Sequence, residues 1–114
     1  MTKSQTICIV DDEAAIRETL ENVLSDEGYP VMSCKDSIHF FAELEQQTPD
    51  LVLLDIWLPG IDGMAILSKL RETHPELPVI MMSGHAGIDA AVNAIKLGAV
   101  DFMEKPLHLE ILLD

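Results

Sequence analysis

The chain predicts an α/β fold with a doubly wound parallel sheet. Short apolar runs alternate with helical patterns along its whole length, turn residues separate them, and the middle run is apolar at every position. Strands are expected at 6–10, 30–34, 50–54, 77–82 and 99–103. The first, Ile7 to Val10, stops on Asp11-Asp12-Glu13. Ile16, Leu20, Val23 and Leu24 then recur at helix spacing, with Gly28 as the C-cap. After the second strand, Ile38, Phe41 and Leu44 mark a second helix, and Pro49 lies just beyond it. Leu51 to Leu54 reads as a central strand buried on both sides. Ile66, Leu67 and Leu70 mark the third helix, followed by Pro75. Ile88, Ala91, Val92 and Ile95 mark the fourth, which Gly98 ends. Short connections between such elements imply right-handed βαβ units. Leu107 to Asp114 has the pattern of a fifth helix cut off after eight residues, too short to stand alone, so the chain is expected to be an N-terminal fragment of a longer regulator.

With 114 residues, of which 48% are hydrophobic, one domain with a real core is expected. The net charge of −13 argues against nucleic-acid binding by this segment, since phosphates are neutralised by clustered Lys and Arg. It equally disfavours an anionic membrane surface. No apolar run reaches the ~20 residues of a membrane span, and no signal peptide is read at the start. Cys8 and Cys34 fall inside apolar strand patterns and read as reduced core residues of a cytoplasmic protein. His39, His74, His85 and His108 lack ligand spacing for zinc.

Chemistry concentrates at strand ends: Asp11 and Asp12, Asp55, Ser83, and Lys105 with Pro106. In open α/β sheets the carboxyl ends of the strands form the functional rim. Two strands that deliver acids to one rim can make a cation site, and the cation can bring in a phosphoryl group. Taken alone, Asp11-Asp12-Glu13 is also compatible with a helix cap, Ser83 with a turn hydroxyl, and Lys105 with a solvated surface residue. The segment Leu54 to Gly63 reads Leu-Asp-x-x-Leu-Pro-x-x-Asp-Gly, with Ser83-Gly84 and Lys105-Pro106 in order downstream.

These residues and their spacing resemble the receiver domain of two-component response regulators, across essentially residues 1–114. The resemblance implies a flavodoxin-like (CheY-like) five-stranded sheet of order 2-1-3-4-5, with the last helix truncated. It implies phosphoryl transfer from a sensor histidine kinase to Asp55, with Mg²⁺ as cofactor and Mn²⁺ as a substitute. Asp12 and Asp55 would bind the metal directly, Asp11 through water, and the Trp57 carbonyl would complete the protein ligands. Lys105 and Ser83 would meet the phosphoryl group, and a cis bond before Pro106 would aim Lys105 into the site. Gly84 would leave room for it. Ser83 and Phe102 would form the switch, changing a face built from the fourth helix, fifth strand and fifth helix, through which a homodimer can form. On periodicity alone Phe102 is also compatible with a core residue, and it lacks the hydroxyl that a Tyr in that place would offer. Trp57 and His85 would tune dephosphorylation.

Met82-Ser83-Gly84-His85-Ala86 and Asp101-Phe102-Met103-Glu104-Lys105-Pro106 look like receivers of the nitrogen-regulation (NtrC/NtrX-like) branch. There the receiver precedes a sigma-54-activating AAA+ ATPase and a DNA-binding domain. DNA and RNA polymerase would then be partners only through domains beyond residue 114. The chain is expected not to be a turnover enzyme. The alternatives are a degenerate receiver that acts only as an interaction module and a haloacid-dehalogenase-type phosphatase. The latter needs an Asp where Trp57 stands. A flavodoxin-type FMN binder is disfavoured by Asp11-Asp12-Glu13, which would repel the phosphate.

Overall fold

The computed structural model describes residues 5–58, 62–84 and 87–105. Strands and helices alternate as β1 (Ile7–Val10), α1 (Ala14–Asp26), β2 (Val31–Cys34), α2 (Ser37–Gln46), β3 (Leu51–Asp55), α3 (Gly63–Thr73), β4 (Val79–Ser83), α4 (Ile88–Lys96) and β5 (Asp101–Glu104). The sheet order is β2-β1-β3-β4-β5, with every neighbouring pair parallel. Both the architecture and the order match the expectation. The expected fifth helix at 107–114, Pro106 and His85 lie outside the described residues.

Alternation along the strands sends side chains to two cores. On one face Cys8, Val10, Val52, Leu54, Val79 and Met81 pack with Phe40, Leu44, Ile66, Leu67 and Leu70 from α2 and α3. On the other, Ile7, Ile9, Leu53, Ile80 and Met82 pack with Leu20 and Leu24 from α1. Val52, Leu53 and Leu54 are fully buried, as a central strand covered on both faces requires. Cys8 and Cys34 are buried free thiols on neighbouring strands. Their mutual hydrogen bond, together with burial, pushes the Cys8 thiol up, away from nucleophilic thiolate.

Gly28 and Gly98 end α1 and α4 with positive φ, 93° and 111°. The N–H of Tyr29 reaches Leu24 O and that of Ala99 reaches Ala94 O, while each glycine donates three residues back. Ala99 therefore belongs to a helix cap, and β5 begins at Asp101 instead of 99. Likewise Leu77 donates to His74 O in a turn, so β4 begins at Val79 instead of 77.

Two helices present other faces than the periodicity of their large apolar residues suggests. In α2 the buried pair is Phe40 and Leu44, Phe41 is half-buried, and Ile38 is 77% exposed in the first turn. In α4 the inner face is Ala94 with Ala90 and Leu97, whereas Ile88, Val92 and Ile95 are exposed. Among the described residues no helix is long and apolar enough to cross a membrane.

Candidate metal centre at the carboxyl rim of the sheet

Because β1, β3, β4 and β5 are parallel and adjacent to one another in the order 1-3-4-5, their carboxyl ends meet at one rim. Asp11 follows β1, Asp55 is the last residue of β3, Ser83 the last of β4, and Lys105 follows β5. The register sets Val10 beside Leu54, Asp55 beside Met82, and Ser83 beside Glu104. The Lys105 N–H donates to Ser83 O at 2.9 Å, which brings the Lys105 side chain over β4 toward β3.

Asp11, Asp55 and Ser83 are buried, and Asp12 is exposed. Carboxylate oxygens of Asp11, Asp12 and Asp55 lie within 4.8 Å of one another. Lys105 Nζ is 2.6 Å from Asp11 Oδ2 and 3.4 Å from Asp55 Oδ2. Asp55 Oδ1 accepts from the Trp57 N–H at 3.3 Å. Asp11 Oδ1 accepts from the Glu13 N–H at 2.9 Å, while Glu13 makes no side-chain cap to α1. Asp11 and Asp12 thus belong to the rim, and the Glu13 side chain does not cap α1.

Burial raises the Asp55 carboxyl above its ordinary range, the charge of Asp11 raises it further, and Lys105 and the Trp57 N–H only partly offset them. Burial pulls the Lys105 ammonium down, but its close contact and charge attraction with Asp11 and its contacts with Asp55 outweigh that, leaving it above its usual value. The cluster sets three carboxylates against the one ammonium in direct contact with them. An all-oxygen donor set with that charge balance suits one hard divalent cation. The residues fit such an ion, with Asp11, Asp12 and Asp55 as its candidate carboxylates.

The loop after β3 is fixed by Asp62 and Gly63. Asp62 caps α3 through its carboxylate and the Ala65 N–H at 3.0 Å. Gly63 donates to Ile56 O at 2.7 Å. A Cβ at Gly63 would fall 2.3 Å from Asp55 O and 2.9 Å from Ile56 Cα. The Asp-Gly of the motif is therefore explained by packing: the first turn of α3 rests on the backbone of Asp55. At Gly84 a Cβ would come no nearer than 4.0 Å to Lys105 Cδ, so there is room between the end of β4 and the Lys105 stem.

A family model for the response regulator receiver domain matches residues 7–114. The chain belongs to the response regulator receiver domain family. The receiver is 45% identical over 109 residues to the nitrogen assimilation regulatory protein NtrX of Azorhizobium caulinodans, covering 94% of the chain and 24% of that protein. It is 39% identical to the DNA-binding transcriptional regulator NtrC of Salmonella typhimurium, covering 91% of the chain and 22% of that protein. The solved receiver domain of NtrX from Brucella abortus superimposes with a TM-score of 0.87 at 46% identity, covering 94% of the chain and 91% of that domain. The chain thus spans less than a quarter of the length of these two full regulators.

Asp11, Asp12, Asp55, Ser83 and Lys105 all reach the rim from the strand ends where the sequence located them. Trp57, two residues after Asp55, is 62% exposed. Phe102 lies opposite Met81 on the edge strand, partly buried against the first core. One residue escaped sequence reading: Arg17, whose Nη1 donates to Asp11 O at 2.7 Å. The available signal was its place four residues after Glu13, on the helix turn nearest the acids.

Proposed function

We propose that this receiver is a phosphorylation-activated switch whose acceptor is Asp55 and whose cofactor is Mg²⁺, with Mn²⁺ able to substitute. The observation that carries the reading is the convergence of three carboxylate groups within 4.8 Å of one another, one of them on the end of the central strand and within 3.4 Å of an ammonium. The metal, held by Asp12 and Asp55, by Asp11 through water and by the Trp57 carbonyl, would relieve the repulsion between carboxylate and phosphoryl donor. Asp55 attacks phosphorus in line, the bond from phosphorus to the kinase histidine nitrogen breaks, and Asp55 keeps the phosphoryl group. Lys105 moves from Asp11 to the phosphoryl oxygens as a point charge. Ser83 donates its hydroxyl, in the space that Gly84 leaves open.

The added charge and acceptor oxygens bias a packing element. Movement of Ser83 frees space for half-buried Phe102 to turn inward, altering the face of α4 and β5. Exposed Ile88, Val92 and Ile95 give that face the apolar surface for a homodimer or an output domain. NtrC is by its name a DNA-binding transcriptional regulator, and the same role in transcription, through sigma-54-type AAA+ and DNA-binding parts, is proposed for the full-length regulator. The receiver itself works in the cytoplasm with a sensor histidine kinase, assists its own phosphorylation and dephosphorylation, and is not a turnover enzyme.

Incubation with Mg²⁺ and acetyl phosphate, followed by intact mass, tests this. One phosphoryl adduct is expected, lost on chelation and in Asp55→Ala. No adduct with any donor points to an interaction module, and multiple turnover of a phosphomonoester points to a phosphatase.

A further inference from the structure

Three polar groups of Asp11 are hydrogen-bonded, and the buried Oδ2 meets Lys105 as an ion pair without hydrogen-bond geometry. Its N–H donates to Cys34 O of β2 at 3.1 Å. Its Oδ1 accepts from the Glu13 N–H at 2.9 Å, and its Oδ2 is 2.6 Å from Lys105 Nζ. Its carbonyl accepts from Arg17 Nη1 at 2.7 Å. The first three partners come from β2, the turn itself and the end of β5. The fourth comes from a single side chain reaching back from α1, to a carbonyl that lies just past the end of β1.

That carbonyl shares one planar peptide with the N–H of Asp12. Fixing its oxygen fixes the direction in which the chain enters Asp12. The Asp12 side chain is exposed, and no hydrogen bond holds its carboxylate among the described residues, so its placement depends on its backbone. We propose that Arg17 is a positioning residue: by clamping the Asp11–Asp12 peptide it sets the convergence of the Asp11, Asp12 and Asp55 carboxylates on a divalent cation. The inference rests on the cation-site reading of the rim.

Charge and positioning make opposite predictions. As a charge alone, the guanidinium repels a cation from the rim, and removing it would tighten binding. As a positioning group, its loss weakens binding, by about tenfold on the scale of outer-shell partners of metal ligands. Arg17 is only half-buried and α1 docks through Leu20 and Leu24, so substitutions at Arg17 leave the fold intact.

The experiment is a Mg²⁺ titration of the parent, Arg17→Gln and Arg17→Lys, followed by fluorescence of Trp57, the one tryptophan of the chain. The expected result is a dissociation constant about tenfold higher in Arg17→Gln and recovery toward the parent in Arg17→Lys, which keeps a donor and the charge. Equal or tighter binding by Arg17→Gln overturns the inference. Amide hydrogen exchange of Glu13, whose N–H is held by Asp11 Oδ1, measured without divalent cation separates the two readings. Faster exchange there in Arg17→Gln, with Leu53 unchanged, is expected even if the parent binds no Mg²⁺, a result that would sink the cation-site reading alone. Unchanged exchange at Glu13 overturns the role of Arg17.

Discussion

Asp55 is a carboxylate held where its charge is disfavoured. Burial and the neighbouring Asp11 both keep the proton on it to higher pH than in an unfolded chain, where an aspartate titrates near ~3.9. Between that value and the raised folded value, the native state binds more protons than the unfolded state, so stability falls as pH rises. The stabilisation from neutral Asp55 is present below about pH 3.9 and is lost as pH passes through the folded value. In the absence of divalent cation, Asp55→Asn should therefore melt higher than the parent at pH 7, and the gap should close toward pH 3. Thermal melts at both pH values check this, and equal or lower melting of Asp55→Asn at pH 7 refutes it. The proposed phosphorylation also makes a prediction at the neighbouring Trp57. An exposed indole cannot orient a hydrolytic water as a carboxamide can, so a phosphorylated parent should decay severalfold more slowly than Trp57→Asn. The measurement is the loss of the phosphoryl adduct with time after the donor is removed, and equal rates would dispose of the idea.

The β3–α3 connection shows how an element is tied to the acceptor. The Asp62 cap and the close approach of Gly63 hold the first turn of α3 against Asp55. Asp62→Ala should lower stability by about 1 kcal/mol, with Asp62→Asn close to the parent, because an Asn side chain still caps. Gly63→Ala should be worse, by about 1–3 kcal/mol, because the intruding Cβ meets backbone that cannot rotate away. Urea unfolding midpoints decide both, and a Gly63→Ala protein as stable as the parent would contradict the packing seen at Asp55 O. These elements were the most legible in the sequence. β3 is apolar throughout, and Ile66, Leu67 and Leu70 of α3 are all buried as their spacing indicates. The faces of α2 and α4 were less so. Hydrophobic spacing identifies a helix but does not say which apolar residue meets the sheet when a helix carries apolar residues on two sides. In α4 the small Ala94 packs inward, and the larger Ile88, Val92 and Ile95 remain outside.

Across the whole molecule, parallel topology converts a linear pattern into a site. Acids after two strands, a hydroxyl at the end of a third and a lysine after a fourth are far apart in sequence, yet the order β1-β3-β4-β5 forces them together. That much was legible once the strands were placed. The pairing inside the rim was not: Lys105 lies closer to Asp11 than to Asp55, and Arg17 clamps the backbone between the two candidate metal ligands on the first loop. Such choices depend on loop geometry of a few tenths of an ångström, which periodicity does not encode. A cation held at the proposed site would add to global stability. The chain carries a net charge of −13, and the rim concentrates three carboxylates that only the folded state brings together. A divalent cation that binds the native state alone stabilises it by about 2.7 kcal/mol at a hundred times its dissociation constant. For a domain of this size that corresponds to a melting rise of roughly 10 °C. Mg²⁺ should produce this rise in the parent, whereas Na⁺ at matched ionic strength should give only the smaller gain from screening. Asp12→Asn keeps the fold, because its side chain is exposed, and should lose most of the Mg²⁺-specific increment. If Asp12→Asn gains as much from Mg²⁺ as the parent does, the ion is acting on the diffuse acidity of the surface, and the three carboxylates do not form its site.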